Sequence, residues 1–254
     1  MKKNLSWFLV ILFLFTLNSC KPATPVQDWV PLQTELLHNG SVAMYSIKNK
    51  LGDVEVYYTN HILREADNCV IVQEYTGKTE EYTKRLRLDG ASLNLISYDV
   101  IQNNKEADLT STTVNSLQFT MLSGKKTHQT YLISDFLDEK PKHTRLFIGE
   151  FFIENDFFLT LLTAFPFETT KQATYKVVRT MSVMDPEEKT NWETKAFYIA
   201  GEEEILYKRK PVPTYRVSFP AEKATAWFSQ EAPHMLIRAE FPTNTIELID
   251  WNEL

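Results

Sequence analysis

Apolar and polar side chains alternate along most of the chain with a period of two, the pattern of strands that bury one face. Val42, Met44 and Ser46 alternate with Ala43, Tyr45 and Ile47, and Leu51-Gly52-Asp53 turns the chain into Val54–Tyr58. A third run, Cys69–Tyr75, ends at Thr76-Gly77-Lys78, and a fourth, Tyr82–Leu88, stops at Asp89-Gly90. Asp-Gly pairs suit tight hairpins because they tolerate positive φ. Further runs are expected at Leu93–Val100, Val114–Leu122 (closed by Ser123-Gly124-Lys125), Gln129–Ile133, Arg145–Ile153, Thr174–Val183, Thr194–Ile199 and Glu204–Lys208. Tyr215–Phe219, Ala224–Phe228, Met235–Phe241 and Thr245–Trp251 complete the series. Many short alternating runs with regular turns predict a mainly β fold, a single antiparallel curved sheet or partly closed barrel.

One segment breaks the period. Phe157, Leu161 and Phe165 recur at four, as do Phe158 and Leu162. Asn155 can cap the start, Asp156 suits the first turn and Pro166 ends the run, so the spacing predicts a short helix over Asp156–Phe165. Apolar on all sides, it must be buried, against the concave face of the sheet or as a plug. A weaker helical pattern covers Leu32–Leu37.

The N-terminus has a different character. Lys2 and Lys3 precede an apolar run from Leu5 to Leu17, closed by Asn18-Ser19-Cys20. Basic, apolar and small-residue regions in that order make an export signal, and the run is shorter than the roughly 20 residues that span a bilayer. Leu17-Asn18-Ser19-Cys20 resembles the bacterial lipoprotein signal, in which the Cys is lipidated and becomes the first residue. That resemblance implies a multi-chain, palmitate-type anchor, and two or more acyl chains hold a protein stably on a membrane. The expected layout is a signal peptide over 1–19, lipidated Cys20 and a Pro-rich tether over 20–31 (Pro22, Pro25, Pro31), and a β-rich domain over 32–254. The protein is then exported and membrane-anchored in the cell envelope, facing the periplasm or the cell surface.

Composition sharpens this picture. The 254 residues are 13% aromatic, with 16 Phe and 11 Tyr, which favours strands. A chain of this length buries enough surface to need no disulfide. With Cys20 lipidated, one of the two cysteines remains, and Cys69, heading an apolar run, is expected as a buried strand residue. Net charge is −6, and removing the two lysines of the leader leaves −8. That balance opposes nucleic-acid binding and electrostatic attachment to anionic lipid.

Catalytic signatures are scarce. The sequence contains no G-x-S-x-G elbow, P-loop, dinucleotide fingerprint or H-E-x-x-H pair. Ser123-Gly124-Lys125-Lys126 fits S-x-x-K without the other marks of that enzyme class, and is expected as a hairpin turn. His38, His61, His128, His143 and His234 are scattered with no two at ligand spacing, so no metal site and no cofactor is expected. Asp185-Pro186-Glu187-Glu188 and Glu202-Glu203-Glu204 are expected as solvated loops, and Lys208-Arg209-Lys210 as a charged edge or loop.

In the C-terminal part, Ala226-Trp227-Phe228-Ser229 ends one strand, Pro233 lies in a turn, and Arg238 sits on the return strand. This hairpin, with the apolar helix ahead of Pro166, resembles an uncharacterised family of exported bacterial β-rich domains of unknown function. Ile237 stands where that family carries Pro before the Arg. The resemblance implies an exported antiparallel β fold and no particular reaction. Residue patterns and resemblance together favour a non-catalytic envelope lipoprotein with a structural or protein-interaction role. The alternative is binding or carriage of an apolar ligand or lipid in a barrel-like cavity, and a catalytic role ranks below both. Expected partners are the membrane, through Cys20, and an apolar ligand or an envelope protein. The ligand-binding residues are not legible at this level.

Overall fold

The computed structural model describes residues 29–77, 80–106, 109–125, 128–135, 142–148, 151–179 and 192–252. Cys20, the leader, most of the tether and the acidic stretch 185–188 lie outside these residues. The strands are β1 (Val42–Asn49), β2 (Val54–Glu65), β3 (Asn68–Gly77), β4 (Glu80–Asp89), β5 (Leu95–Glu106), β6 (Leu109–Lys125), β7 (His128–Asp135) and β8 (Lys142–Ile148). They continue as β9 (Phe152–Glu154), β10 (Gln172–Val178), β11 (Trp192–Tyr207), β12 (Lys210–Phe219), β13 (Ala224–Ser229), β14 (Leu236–Glu240) and β15 (Asn244–Asn252). Between β9 and β10 lies one helical segment, α1, in which 3-10 turns at Asn155–Phe157 and Leu162–Ala164 flank the α-turn Phe158–Leu161.

The fifteen strands of the described residues join one sheet in the order β8-β7-β6-β5-β4-β3-β2-β1-β15-β14-β13-β12-β11-β10-β9. Two antiparallel meanders, β1–β8 and β10–β15, are stitched together by the β1–β15 pair. The sheet departs from the expected all-antiparallel pattern at one place, where β9 runs parallel to β10. It also splits the single run expected over Arg145–Ile153 into β8 and β9, which stand at opposite ends of the sheet. Alternation sees two strands joined end to end as one and carries no information about which neighbours each will pair with.

The sheet wraps around α1. Phe158 packs edge-on against Tyr175 of β10 and Phe219 of β12, with centroids 6.4 and 5.9 Å apart. Phe157 on the same helix meets Tyr98 of β5 at 6.0 Å, and Thr160 bonds to Asn60 of β2 and Gln73 of β3. One short helix can touch β2, β3, β5, β10 and β12 together only if the sheet curls into a barrel-like shell. Among the described residues the shell stays open, because its end strands β8 and β9 do not pair.

Burial follows the apolar spacing of α1. Phe157, Leu162, Ala164 and Phe165 are fully buried, and Leu161 nearly so. Glu154 rather than Asn155 caps the helix: its carboxylate accepts from the Asp156 N–H at 2.6 Å. Asn155 instead accepts from Lys195 Nζ at 2.8 Å. Phe165 leaves the helix in an extended conformation, as a residue before proline must. Only a 3-10 turn, Thr34–Leu36, forms in the Leu32–Leu37 segment. Upstream, Trp29 stacks on Phe151 and the Val30 carbonyl accepts from the Tyr175 hydroxyl at 2.6 Å, so the packed region reaches back into the Pro-rich stretch.

Three turn expectations are corrected. The Asp89-Gly90 pair opens a longer loop in which the Asp89 carboxylate accepts from the Ala91 and Ser92 N–H groups and the Ser92 hydroxyl. Leu93, not Gly90, takes the positive φ there. Gly90 serves a different end: a Cβ at that position would lie 2.5 Å from the Asp67 carbonyl oxygen. Ser123-Gly124-Lys125 belongs to β6 rather than to a turn. The runs at 194–199 and 204–208 are one strand, β11, with a register shift between Ile199 and Gly201, so Glu202-Glu203-Glu204 lies on a strand and not in a loop. Lys208 and Arg209 form the two-residue β11–β12 turn, both at positive φ, the geometry of a type I′ hairpin.

Candidate functional site

A cavity of about 590 Å³ opens beside α1. Its apolar walls are Tyr58, Tyr75, Phe158, Leu159, Phe219 and Phe241. Gln73, Asn155, Asp156, Lys195 and Glu222 place polar groups on the same surface. Enough volume for a small organic molecule, mostly apolar walls and a few convergent polar groups are the attributes of ligand sites. A second hollow of about 450 Å³ lies by β15, among Tyr207, Val212, Ile237, Leu248 and Trp251.

Strand pairing builds one wall. Tyr45, Tyr58, Tyr75 and Tyr82 stand directly opposite one another on β1, β2, β3 and β4. Their rings stack with centroids 4.9, 5.2 and 4.4 Å apart and near-parallel planes. Lys84 Nζ sits over the Tyr75 and Tyr82 rings at 5.2 and 5.4 Å, within cation–π range. Burial first, and then neighbouring phenols, push the Tyr58 and Tyr75 hydroxyls well above the usual phenol range; Asp156 and Glu154 add to the effect on Tyr75. Burial raises Tyr45 as well, helped by Tyr207.

The helix supplies the opposite wall and its polar network. Asp156 Oδ2 takes Lys84 Nζ at 2.5 Å and the Tyr98 hydroxyl at 2.8 Å. Tyr98 is likewise raised, by burial and then by the carboxylates of Glu154 and Asp156. Thr160 Oγ1 accepts from Asn60 Nδ2 at 3.0 Å and Gln73 Nε2 at 3.2 Å, while Gln73 Oε1 accepts from the Tyr75 hydroxyl at 2.8 Å. These bonds pin the helix to β2 and β3 and leave Leu159 facing the cavity. The Lys195 side chain is 15% exposed; its Nζ is held by Glu193 at 3.4 Å and by Asn155, and lies 5.3 Å from the Phe158 ring centre.

Residues singled out by sequence lie elsewhere. Cys69 is fully buried and free, and burial lifts its thiol above the ordinary range against the opposing pull of Arg64. His61 sits on β2, 3.4 Å from Glu74. His234 is fully buried beyond the cis Ala232-Pro233 bond; its Nδ1–H donates to the Ser229 carbonyl at 2.9 Å, and Nε2 lies 3.0 Å from Glu168. Ser229 Oγ donates to backbone carbonyls and accepts from the Met235 N–H, so His234 and Ser229 brace the hairpin turn. Among the described residues, no three His, Cys, Asp or Glu side chains gather as a metal set. Glu203 accepts from Trp227 Nε1 and lies 3.8 Å from Arg216, and Arg238 rests over the Trp227 ring at 5.9 Å. The Trp227–Arg238 pair of the C-terminal hairpin is thus a direct cross-strand contact on β13 and β14.

The tyrosine ladder was missed at the sequence level, although a signal exists. Tyr45 and Tyr58 are symmetric about Leu51-Gly52, Tyr58 and Tyr75 about Ala66-Asp67, and Tyr75 and Tyr82 about Lys78-Thr79. Residues symmetric about a hairpin turn meet across the strands.

No family model matches this chain, and no curated protein matches it. Among solved structures, it is similar to a β-barrel-like protein of the domain of unknown function DUF1849 from Brucella abortus. The TM-score is 0.50 at 6% identity, over 84% of this chain and 96% of the other. At that identity the likeness concerns the fold alone: this is a β-rich, barrel-like domain.

Proposed function

We propose that the protein is a lipoprotein of the bacterial cell envelope, tethered through Cys20, which binds a small amphiphilic molecule without transforming it. The observation that carries this reading is the cavity beside α1, about 590 Å³ with aromatic walls and a polar rim. In a filled shell the helix would meet the sheet everywhere. Here α1 fills the interior around Phe157, Leu161 and Phe165 and leaves space at Leu159. A structural or protein-interaction role is the second reading. It is favoured by the two sheet edges at β8 and β9, since an open edge can accept a strand from a partner.

The test is native mass spectrometry of the full chain extracted from the membranes of its own cells. The expected result is a bound small molecule on the wild type that is absent from Leu159→Trp, where the larger ring occupies the cavity. Cys20→Ser should release the protein from membranes and leave that bound mass in place. Wild-type protein free of any small molecule, together with a co-purifying envelope protein, would favour the edge-binding reading instead.

A further inference from the structure

We infer that the ligand is a single-chain amphiphile long enough to pass from the cavity beside α1 into the hollow by β15, with a neutral polar head at the α1 end. This rests on the binding role proposed above and specifies the shape and chemical class of the ligand. The two spaces lie in line on the inner face of the β1–β15 seam. Ile47 pairs with Ile246, and both line the α1 cavity. On the next inner rung Tyr45 pairs with Leu248, which lines the β15 hollow. The rung after that pairs Ala43 with Trp251, which lines the same hollow. At about 3.4 Å per residue, β15 covers about 17 Å from Ile246 to Trp251, a path for an extended chain rather than a compact body.

Between the two spaces lies a void of about 20 Å³, room for one water. It shares Thr160 with the α1 cavity and Met235 with the β15 hollow. Tyr45 also lines the void and is fixed by its stack on Tyr58 at 4.9 Å. Met235 is fixed through its backbone: its N–H donates to Ser229 Oγ and its carbonyl accepts from the Ser229 N–H, both at 2.8 Å. Its unbranched thioether side chain has three rotatable bonds and adapts to its neighbours, so a change of Met235 rotamer joins the void to the hollow. The two ends differ in polarity. At the α1 end Gln73, Asn155 and Asn244 offer amide groups, and the charges of Asp156 and Lys195 are already matched by Lys84 and Glu193. A neutral hydroxylated head suits that rim. In the β15 hollow Tyr207, Val212, Ile237, Leu248 and Trp251 present apolar surface, while Ser229 is engaged in the hairpin turn and Gln230 donates to Glu202. That end suits a tail.

The experiment is fluorescence titration of the full chain carrying Cys20→Ser, which dispenses with detergent, using octyl, dodecyl and hexadecyl maltosides below their micelle thresholds. Affinity should rise about fourfold per added methylene through the whole series. Val212 is half-buried, so Val212→Trp fills the β15 hollow without entering the core, and it should bring hexadecyl affinity down to that of dodecyl. A hexadecyl chain ending in bromine should quench Trp251, and that quenching should vanish in Trp251→Phe, a readout that does not depend on the folding of the plugged variant. Affinity that levels off at octyl, or bromine quenching unaltered by Trp251→Phe, overturns the inference and keeps the cavity reading. A gain with length that survives in folded Val212→Trp overturns it as well. Failure of every chain to bind overturns both.

Discussion

The two halves of the sheet both rely on aromatic side chains and use them in different ways. On β1–β4, Tyr45, Tyr58, Tyr75 and Tyr82 stack nearly parallel, with interplanar angles of 14–17°. Around β10–β13, Phe165 meets Phe167 and Phe197 at 67° and 73°, and Phe158 meets Phe219 at 70°. The first arrangement is a product of register: antiparallel neighbours hold their rings at one spacing, so the rings stack as a strip along the sheet. The second comes from tertiary packing between helix, loop and strand, where edge-to-face contacts, mixed with the flat stacks of Phe167 on Tyr215 and Tyr175 on Phe197, fill an irregular volume. A stacked strip presents a surface, whereas interlocked rings fill the volume behind them. The cavity accordingly runs between the Tyr58–Tyr75 part of the ladder and the Phe158–Phe219 pair, which forms the near edge of the phenylalanine cluster.

The comparison can be broken at high pH. Tyr45, Tyr58, Tyr75 and Tyr98 have folded-state pKa values raised above that of an unfolded phenol, near 10. The unfolded chain therefore releases these protons first, and the stability they contribute is intact below pH 10 and lost as pH rises beyond it. Phenolate absorbance followed with circular dichroism should show the four ionising together with unfolding. Smooth ionisation of all tyrosines in a still-folded protein would mean that the ladder is wet.

A pair of substitutions separates the halves at neutral pH. Phe167 is fully buried, 5.1 Å from Phe228 and 5.3 Å from Tyr215, so Phe167→Ala should cost about 3–5 kcal/mol in denaturant unfolding. Tyr75→Phe keeps the stacked ring and loses only the bond to Gln73, a cost of about 0.5–1.5 kcal/mol. Equal costs would remove the distinction between interlocked and ladder packing.

Sequence and structure agree where the determinants are local. The fourfold spacing of Phe157, Leu161 and Phe165 marks α1, and period-two runs mark most strands. They part where pairing is decided at a distance. Glu202-Glu203-Glu204 looks like a solvated loop, yet in β11 Glu203 faces Trp227 and Arg216, partners supplied by strands that only the folded sheet brings alongside. Arg145–Ile153 looks like one run because its apolar character is continuous, while β8 and β9 pair at opposite ends of the sheet. The cavity was invisible for the same reason. Leu159 and Glu222 are unremarkable in sequence, and they line one space because α1 and the β12–β13 turn close over the same end of the shell. The anchor at Cys20 is the opposite case, legible in sequence and outside the described residues.

Whether the cavity beside α1 takes a ligand decides between a binding and a purely structural role. Chemical-shift mapping of the protein during titration with a small aromatic amphiphile tests this most directly. Saturable changes centred on Tyr75, Leu159, Glu222 and Phe241 are predicted, with the residues around Phe167 unmoved. Changes confined to the edge strands β8 and β9, or none at saturating ligand, would contradict it.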